Sequence, residues 1–332
     1  MARTTITLFL LLSSLLFSYG QKLEYKVKLY GFGDNREFQS EKASSQTILG
    51  ERISFELGTT IEGKHQLRAG LDHLFEFGSE IDEQKLKLIA YYHYEDPKKV
   101  FYFGAFPRMD LINFPLALLT DTLNYYRPNI EGLFGRYNWR WGHQLGFIDW
   151  TSRQTETRRE TFLAGFSGEM RYRSLFFQNY LTLFHYAGTA GAGGTDESSD
   201  VEDDMGGVLY LGSDLNKILP LKKGYIKLGI MGSSFRDRHG EDKFINAFSF
   251  TGELYGETKN FALRTTFTEG DGHHFMNGDR FYDEGNYIRT DVYWKFINAK
   301  RIQGRFNLSF HLVNGNNLDQ SQQICILYSL GD

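Results

Sequence analysis

The feature that most constrains the fold of this chain is an alternation of apolar and polar residues that recurs along most of its length. In residues 302–312, the even positions are apolar or glycine, whereas the odd positions include Arg305, Asn307 and His311. Side chains of a β-strand point to opposite faces in turn, so each such segment forms a strand with one apolar and one polar face. The alternation predicts sixteen strands, at residues 23–33, 49–61, 66–77, 85–94, 100–106, 130–141, 144–150, 161–172, 175–186, 207–213, 225–234, 245–255, 261–268, 286–297, 302–313 and 322–330.

The lengths of the connections between these strands indicate which face points inward. Nearly all even connections are tight turns, such as residues 142–143 and 173–174, and residues 214–224 are the exception. Long loops at one end and short turns at the other are typical of an outer-membrane barrel, which turns its apolar face to lipid. A soluble sandwich or propeller has no reason to sort its connections in this way. The odd connections, most of them long, polar and rich in glycine and aspartate, are residues 34–48, 78–84, 107–129, 151–160, 187–206, 235–244, 269–285 and 314–321.

Charged residues on the polar faces also favour a membrane barrel. A soluble fold would bury Glu24, Lys26 and Lys28 of the first strand in a dry core. The third strand would add Arg68 and Asp72 to that core. Stranded charges in such a core cost several kcal/mol each, whereas a hydrated lumen accepts them. The predicted fold is therefore an all-β, transmembrane, antiparallel up-and-down β-barrel of sixteen strands, with fourteen strands as the alternative.

The N-terminal segment has the pattern of an export signal. Arg3 precedes an apolar run over residues 8–17, and Ser18 and Gly20 have the small side chains and the spacing that a signal peptidase accepts. We expect cleavage after Gly20, with residues 1–20 removed and residues 21–332 forming one barrel domain in the bacterial outer membrane. The net charge of −4 gives no sign of nucleic-acid binding, and the single cysteine rules out an internal disulfide.

In this architecture the mature chain resembles the general bacterial porins, although no family-specific motif carries the resemblance. One departure is the C-terminus, because porins usually end on an aromatic residue and this chain ends on aspartate. The resemblance implies that the third external loop folds into the barrel, and residues 107–129 are too apolar for a loop in water. A lid over the barrel mouth, or contact with a partner subunit in a homo-oligomer, is the alternative. The inward fold would form a constriction near Arg108, Asp110, Asp121 and Arg127.

Arginine recurs at positions predicted to face the lumen. An arginine-lined pore attracts anions, since each guanidinium can bind a carboxylate or phosphate through two nitrogens. Acidic residues such as Glu56 and Asp72 share the same walls, so cross-strand pairing and an unselective pore are the alternative. The candidate pore-lining residues are Arg52, Arg68, Arg136, Arg171, Arg264, Arg289 and Arg305.

Two polar loops are weak candidates for metal binding. Residues 194–204 hold six acidic residues, but they lack the spacing of a calcium loop and we expect them to be solvated. Adjacent His273 and His274 point apart in an extended chain, and nothing else in residues 269–285 completes a site. We therefore predict no metal and no cofactor.

These observations predict an outer-membrane channel for passive diffusion of small hydrophilic, including anionic, solutes. A non-channel barrel that acts as a scaffold or adhesin is the alternative. A lipid hydrolase is a remote alternative, because Ser309 and His311 share a face but that face is polar and no third group that would orient them is evident. The sequence thus predicts a protein that is not an enzyme, with outer-membrane lipid and small solutes as its partners.

Overall fold

Sixteen antiparallel strands form one closed barrel in the computed structural model, which describes residues 22–39, 43–109, 111–187, 202–237, 243–315 and 317–331. Each strand pairs with its chain neighbours, and β1 closes the barrel by pairing with β16. The predicted fold class and strand count are confirmed, and the alternative of fourteen strands is wrong. The strands are β1 Leu23–Glu37, β2 Gln46–Ile61, β3 His65–Glu76, β4 Lys85–Glu95, β5 Lys99–Pro107, β6 Asn129–Trp139, β7 Gly142–Ser152, β8 Thr161–Tyr172, β9 Leu175–Tyr186, β10 Glu202–Asp214, β11 Lys223–Asp237, β12 Lys243–Glu257, β13 Phe261–Gly270, β14 Asn286–Asn298, β15 Ile302–Val313 and β16 Asn317–Gly331.

Several strands extend farther toward the long connections than the alternation predicts. β1 continues to Glu37, β10 begins at Glu202 and β16 begins at Asn317. The added pairs include Asp203 opposite His185, so residues that break the apolar pattern still join the ladder. Polar side chains are tolerated here because this end of a barrel lies at the level of headgroups and water rather than hydrocarbon.

The two faces of the wall are inverted relative to a soluble protein. Phe103 and Leu228 are each 58% exposed on the outer face. On the inner face, Asn307 and His311 are each only 2% exposed. The apolar residues of β15 therefore point to lipid and its polar residues point into the lumen, as the alternation over residues 302–312 predicts.

The long connection between β5 and β6 packs against the inner wall. It contains a short helix, α1 Leu123–Tyr126, whose Tyr125 ring stacks on Phe32 of β1 with centroids 4.5 Å apart. Phe114 of the same connection is buried against the wall. Apolar side chains of this kind gain free energy by leaving water, and the inner wall gives them a surface to pack on. Among the described residues, no helix is long and apolar enough to cross a membrane.

The connection between β13 and β14 packs beside the first and includes a 3-10 helix, Arg280–Asp283. The Thr120 N–H donates to the Asn277 carbonyl at 2.8 Å, and the Asp279 N–H donates to the Leu116 carbonyl at 2.9 Å. The two connections are thus joined by their backbones. Residues 111–128 and 271–285 are together called the plug below.

Candidate functional site

The seven arginines predicted to line the lumen lie on the inner face of the wall. Five of them are held by carboxylates on the same or neighbouring elements. Arg136 lines a cavity, and the Arg305 guanidinium lies over the Tyr293 ring at 5.4 Å. The wall therefore carries charges of both signs, and the part these arginines play in anion passage stays a prediction. The ion pairs are Arg52 with Asp72, Arg68 with Glu24, Arg171 with Glu169 and Asp214, Arg264 with Glu253, and Arg289 with Asp279 and Asp291.

The residues predicted to form a constriction lie in two places. Arg108 forms a buried ion pair with Asp149 of β7, and the Arg127 guanidinium lies 3.9 Å from the same carboxylate. Asp121 instead accepts a hydrogen bond from Gln323 Nε2 of β16 at 2.8 Å. These three residues therefore do not meet in one ring, and their part in solute passage stays a prediction.

Three sequence predictions fall on parts of the chain outside the described residues. Asp110 of the proposed constriction is one of them. Residues 188–201, which include most of the acidic loop, are the second, and the export signal at residues 1–20 is the third. All three stay predictions.

A cavity of about 490 Å³ lies in the half of the lumen near the short turns, with part of the plug as its roof. The Lys227 ammonium lies 3.6 Å from the Glu253 carboxylate in its wall. Its lining is polar and of mixed charge, which suits a hydrated solute better than an acyl chain. The charged residues that line it include Arg136, Glu169, Lys227, Glu253 and Arg264.

A smaller pocket, of about 170 Å³, lies in the half of the lumen near the long connections. It is enclosed by β1, β14, β15 and β16 and by both parts of the plug. We call it the extracellular pocket. Its polar lining includes Arg36, Asp121, Asp279, Arg289, His311 and Ser321.

The extracellular pocket holds a serine and a histidine in contact. His311 Nε2 lies 3.3 Å from Ser321 Oγ across the β15–β16 pair, and His311 Nδ1 lies 2.6 Å from Tyr287 Oη of β14. With an N–H on Nδ1 that donates to Tyr287, Nε2 carries the lone pair that can accept the Ser321 proton. The Phe281 ring of the plug stacks on His311 at 4.4 Å between centroids. A nucleophile, a base and a group that orients the base form an arrangement that is typical of nucleophilic acyl transfer.

Ser309, which its spacing places beside His311, has other partners. Its hydroxyl donates to the Asp291 carboxylate of β14 at 2.5 Å. Sequence reasoning misses Ser321 and Tyr287 because both reach His311 from neighbouring strands. The register between β15 and β16 is the signal that could have found Ser321, and it depends on where the last hairpin turns.

Two guanidinium groups face the same pocket. The Arg36 guanidinium lies 2.6 Å from the Asp34 carboxylate, and the Arg289 guanidinium lies 3.1 Å from the Asp279 carboxylate. These ion pairs fix the positions of both cations. Each guanidinium also lies near a second carboxylate, Asp121 for Arg36 and Asp291 for Arg289, so the pocket carries charges of both signs. Its arginines offer N–H donors at fixed positions, which can bind an oxyanion or a phosphate oxygen.

His273 and His274 are not part of a cluster of potential metal ligands among the described residues. His273 lies between Ser233 Oγ and Ser249 Oγ, at 2.8 Å from each. Among the described residues, no group of three or more histidine, cysteine, aspartate and glutamate side chains is placed to hold a metal ion.

The fold is similar to that of solved bacterial outer-membrane proteins, which confirms the resemblance to porins at the level of architecture. OprB of Pseudomonas putida at high pH has a TM-score of 0.54 and 10% identity, over 96% of this chain and 96% of that chain. OmpF of Salmonella typhi in complex with daunomycin has a TM-score of 0.52 and 12% identity, over 94% and 98%. OpdK of Pseudomonas aeruginosa with vanillate has a TM-score of 0.50 and 12% identity, over 94% and 99%. At such identities the likeness shows the fold alone.

The sequence also matches a known family along almost its whole length. Residues 17–330 match the family described as lipid A 3'-O-deacylase-type. No curated protein matches the chain. The family carries the name of an enzyme, so the prediction that the protein is not an enzyme is wrong. The prediction rested on Ser309 and His311, for which no third orienting group is evident in the sequence, whereas the fold brings Ser321 and Tyr287 to His311 from neighbouring strands.

Proposed function

Because the chain belongs to the lipid A 3'-O-deacylase-type family, we propose that it is an outer-membrane hydrolase that removes an ester-linked acyl chain from lipid A. Export through residues 1–20 would bring it to that membrane. The observation that carries the proposal is the contact between Ser321 Oγ and His311 Nε2 in a pocket of the extracellular half of the barrel. Lipid A is a phosphorylated glycolipid, and the guanidinium N–H groups of the pocket are donors that can bind its phosphate oxygens.

The reaction proceeds in two steps. Ser321 Oγ attacks the ester carbonyl carbon while His311 Nε2 takes its proton, and the tetrahedral intermediate then expels the sugar oxygen, which receives that proton. Ser321 now carries the acyl group and the sugar carries a free hydroxyl. Water, deprotonated by His311 Nε2, attacks the carbonyl carbon of the acyl-serine, and the intermediate collapses to release the fatty acid while Ser321 Oγ takes the proton back from His311.

Neighbouring groups support the pair at the moment of reaction. Tyr287 Oη lies 2.6 Å from His311 Nδ1 and orients the ring, and in the tautomer with its hydrogen on Nδ1 this hydroxyl accepts that hydrogen and Nε2 can take the Ser321 proton. The guanidinium groups of Arg36 and Arg289 face the pocket, where negative charge develops on the ester oxygen. Each group thus acts through position and charge, without a metal or cofactor in the scheme.

The direct test is mass spectrometry of lipid A after incubation with the purified barrel in detergent micelles. We expect the loss of one ester-linked acyl chain with the wild-type protein. The substitution Ser321→Ala should lower the rate by about 10³-fold or more, since it removes the nucleophile. Ser249→Ala is the matched control, because Ser249 also contacts a histidine but lines a different part of the lumen. Intact lipid A with the wild-type protein, or equal rates for the two variants, would contradict the proposal.

Passage of small hydrophilic solutes is a second candidate function, favoured by the cavity of about 490 Å³ and its charged lining. The plug lies between this cavity and the extracellular side, so we expect low conductance in planar bilayers. Deletion of residues 111–123 should raise that conductance. An unchanged conductance in a folded deletion variant would count against solute passage through this lumen. No observation on the described residues favours the scaffold or adhesin alternative.

A further inference from the structure

Ser321 faces the lumen, whereas a lipid substrate lies outside the barrel. We propose that an acyl chain of the glycolipid substrate enters over the rim between β16 and β1, along an outer groove that Phe38 separates from the extracellular pocket. This inference rests on the proposed hydrolase function and names the route by which its substrate arrives.

The outer groove is a cavity of about 400 Å³ at the extracellular ends of β15, β16 and β1. Phe310 and Leu318 form its apolar part, and Leu318 is 61% exposed on the outer face. Gln320 Nε2 donates to the Glu37 carboxylate at 2.7 Å on its polar side. An acyl chain joined to a sugar is apolar at one end and polar at the other, so it matches both parts of this lining.

Phe38 lines both the outer groove and the extracellular pocket. Its ring meets Phe281 edge to face at 4.9 Å and His311 at 5.5 Å. Its backbone is fixed, because the Phe38 N–H donates to Ser45 Oγ at 2.8 Å and the next N–H donates to Asp319 Oδ1 at 2.6 Å. The side chain is therefore the partition between the two spaces, and its rotation would join them.

The alternative route, between the first and last strands, is much costlier. β1 and β16 pair continuously from Lys26 opposite Gly331 to Glu37 opposite Gln320. Parting them would break the ladder of backbone hydrogen bonds in a medium with no water to replace them. Rotating the Phe38 side chain costs less, because it changes one rotamer and the ring contacts of Phe38 and breaks no backbone hydrogen bond. The rim over Phe38 is thus the route that leaves the barrel closed.

The test fills the groove and compares two substrates. Leu318→Trp places a larger ring in the groove, and Phe306→Trp, on the outer face of β15 away from it, is the matched control. The rate of hydrolysis is measured for each variant with lipid A and with the short soluble ester p-nitrophenyl acetate. We expect Leu318→Trp to lower the ratio of lipid A to short-ester hydrolysis by about tenfold, the loss that follows when two methylene groups can no longer be buried. Phe306→Trp should leave the ratio unchanged.

A binding measurement separates this inference from the proposed function. In the Ser321→Ala background, native mass spectrometry counts lipid A retained by each variant, and Leu318→Trp should retain less than Phe306→Trp. Equal hydrolysis ratios or equal retention for the two tryptophan variants would overturn the route. Reduced retention with no hydrolysis by the parent protein would instead support the groove and overturn the hydrolase.

Discussion

Gly278 allows the two parts of the plug to touch, and its replacement by alanine should separate them. A Cβ at this position would overlap the Ala117 carbonyl oxygen, which belongs to backbone and cannot rotate away. It would also lie only 2.8 Å from Phe275 Cβ. The methyl group of Gly278→Ala therefore does not fit while the two segments stay in contact.

The cost can be worked from the contacts that separation removes. The two backbone hydrogen bonds between the segments, at 2.8 and 2.9 Å, would both be lost. Each contributes about 1 kcal/mol net, so separation becomes easier by about 2 kcal/mol, or roughly thirtyfold in population. The barrel itself should stay folded, since the ladder of its sixteen strands is untouched.

Trypsin cleavage at Arg280 in reconstituted protein measures the separated population. The Arg280 side chain is 45% exposed and lies in the 3-10 helix beside Gly278. Cleavage follows the open population when opening and closing are fast, so the rate should rise by roughly thirtyfold in Gly278→Ala. Gly31→Ala is the control, because a Cβ there meets nothing within 4 Å. Equal cleavage rates for the two variants would show that a Cβ at position 278 does not separate the two segments of the plug.

Three further predictions concern the wall and the plug. Leu308→Arg should lower the free energy of unfolding by about 2–4 kcal/mol if its side chain lies near the bilayer midplane, measured by urea unfolding in lipid vesicles. Arg108→Met should cost about 1.5–3 kcal/mol in the same assay, because it removes the closer cation and its hydrogen bond from the buried Asp149 carboxylate and leaves only Arg127, 3.9 Å away, and adding Asp149→Leu should recover part of the loss. The contact with the Asp283 carboxylate, 3.8 Å away, raises the pKa of His274 above its usual 6.5, so its stabilisation should be complete below pH 6.5 and lost as pH rises through the raised value.

Each of these has a control that isolates its cause. Gln303→Arg puts the same charge on the exposed inner face of β15 and should be far milder than Leu308→Arg. If the double variant at Arg108 and Asp149 is no more stable than the single one, the weaker pairing of the Asp149 carboxylate is not the source of the loss. His274→Gln should remove the part of the pH dependence assigned to that residue, and an unchanged profile would refute the assignment.

The sequence predicts the barrel well because its evidence is local. Alternation within a segment and the lengths of neighbouring connections can be read without knowing which distant residues meet. The contact of His311 with Ser321 cannot be read from the sequence in this way, because it depends on the register between β15 and β16, which the turn between them sets. The same limit applies to the plug. Gly278 and Ala117 lie far apart in the sequence, and no pattern in either segment predicts that the two segments are in contact.

The buried thiol at the closing seam gives this chain a built-in reporter of its own assembly. Cys325 is the only cysteine, is 8% exposed, and its Sγ lies 3.3 Å from Tyr30 Oη across the β1–β16 pair. The Tyr30 ring in turn stacks on Tyr125 of α1 at 6.4 Å. A maleimide should therefore react with the chain until the first and last strands have met, and only slowly afterwards. The time course of barrel closure can be followed in native protein, with no engineered label.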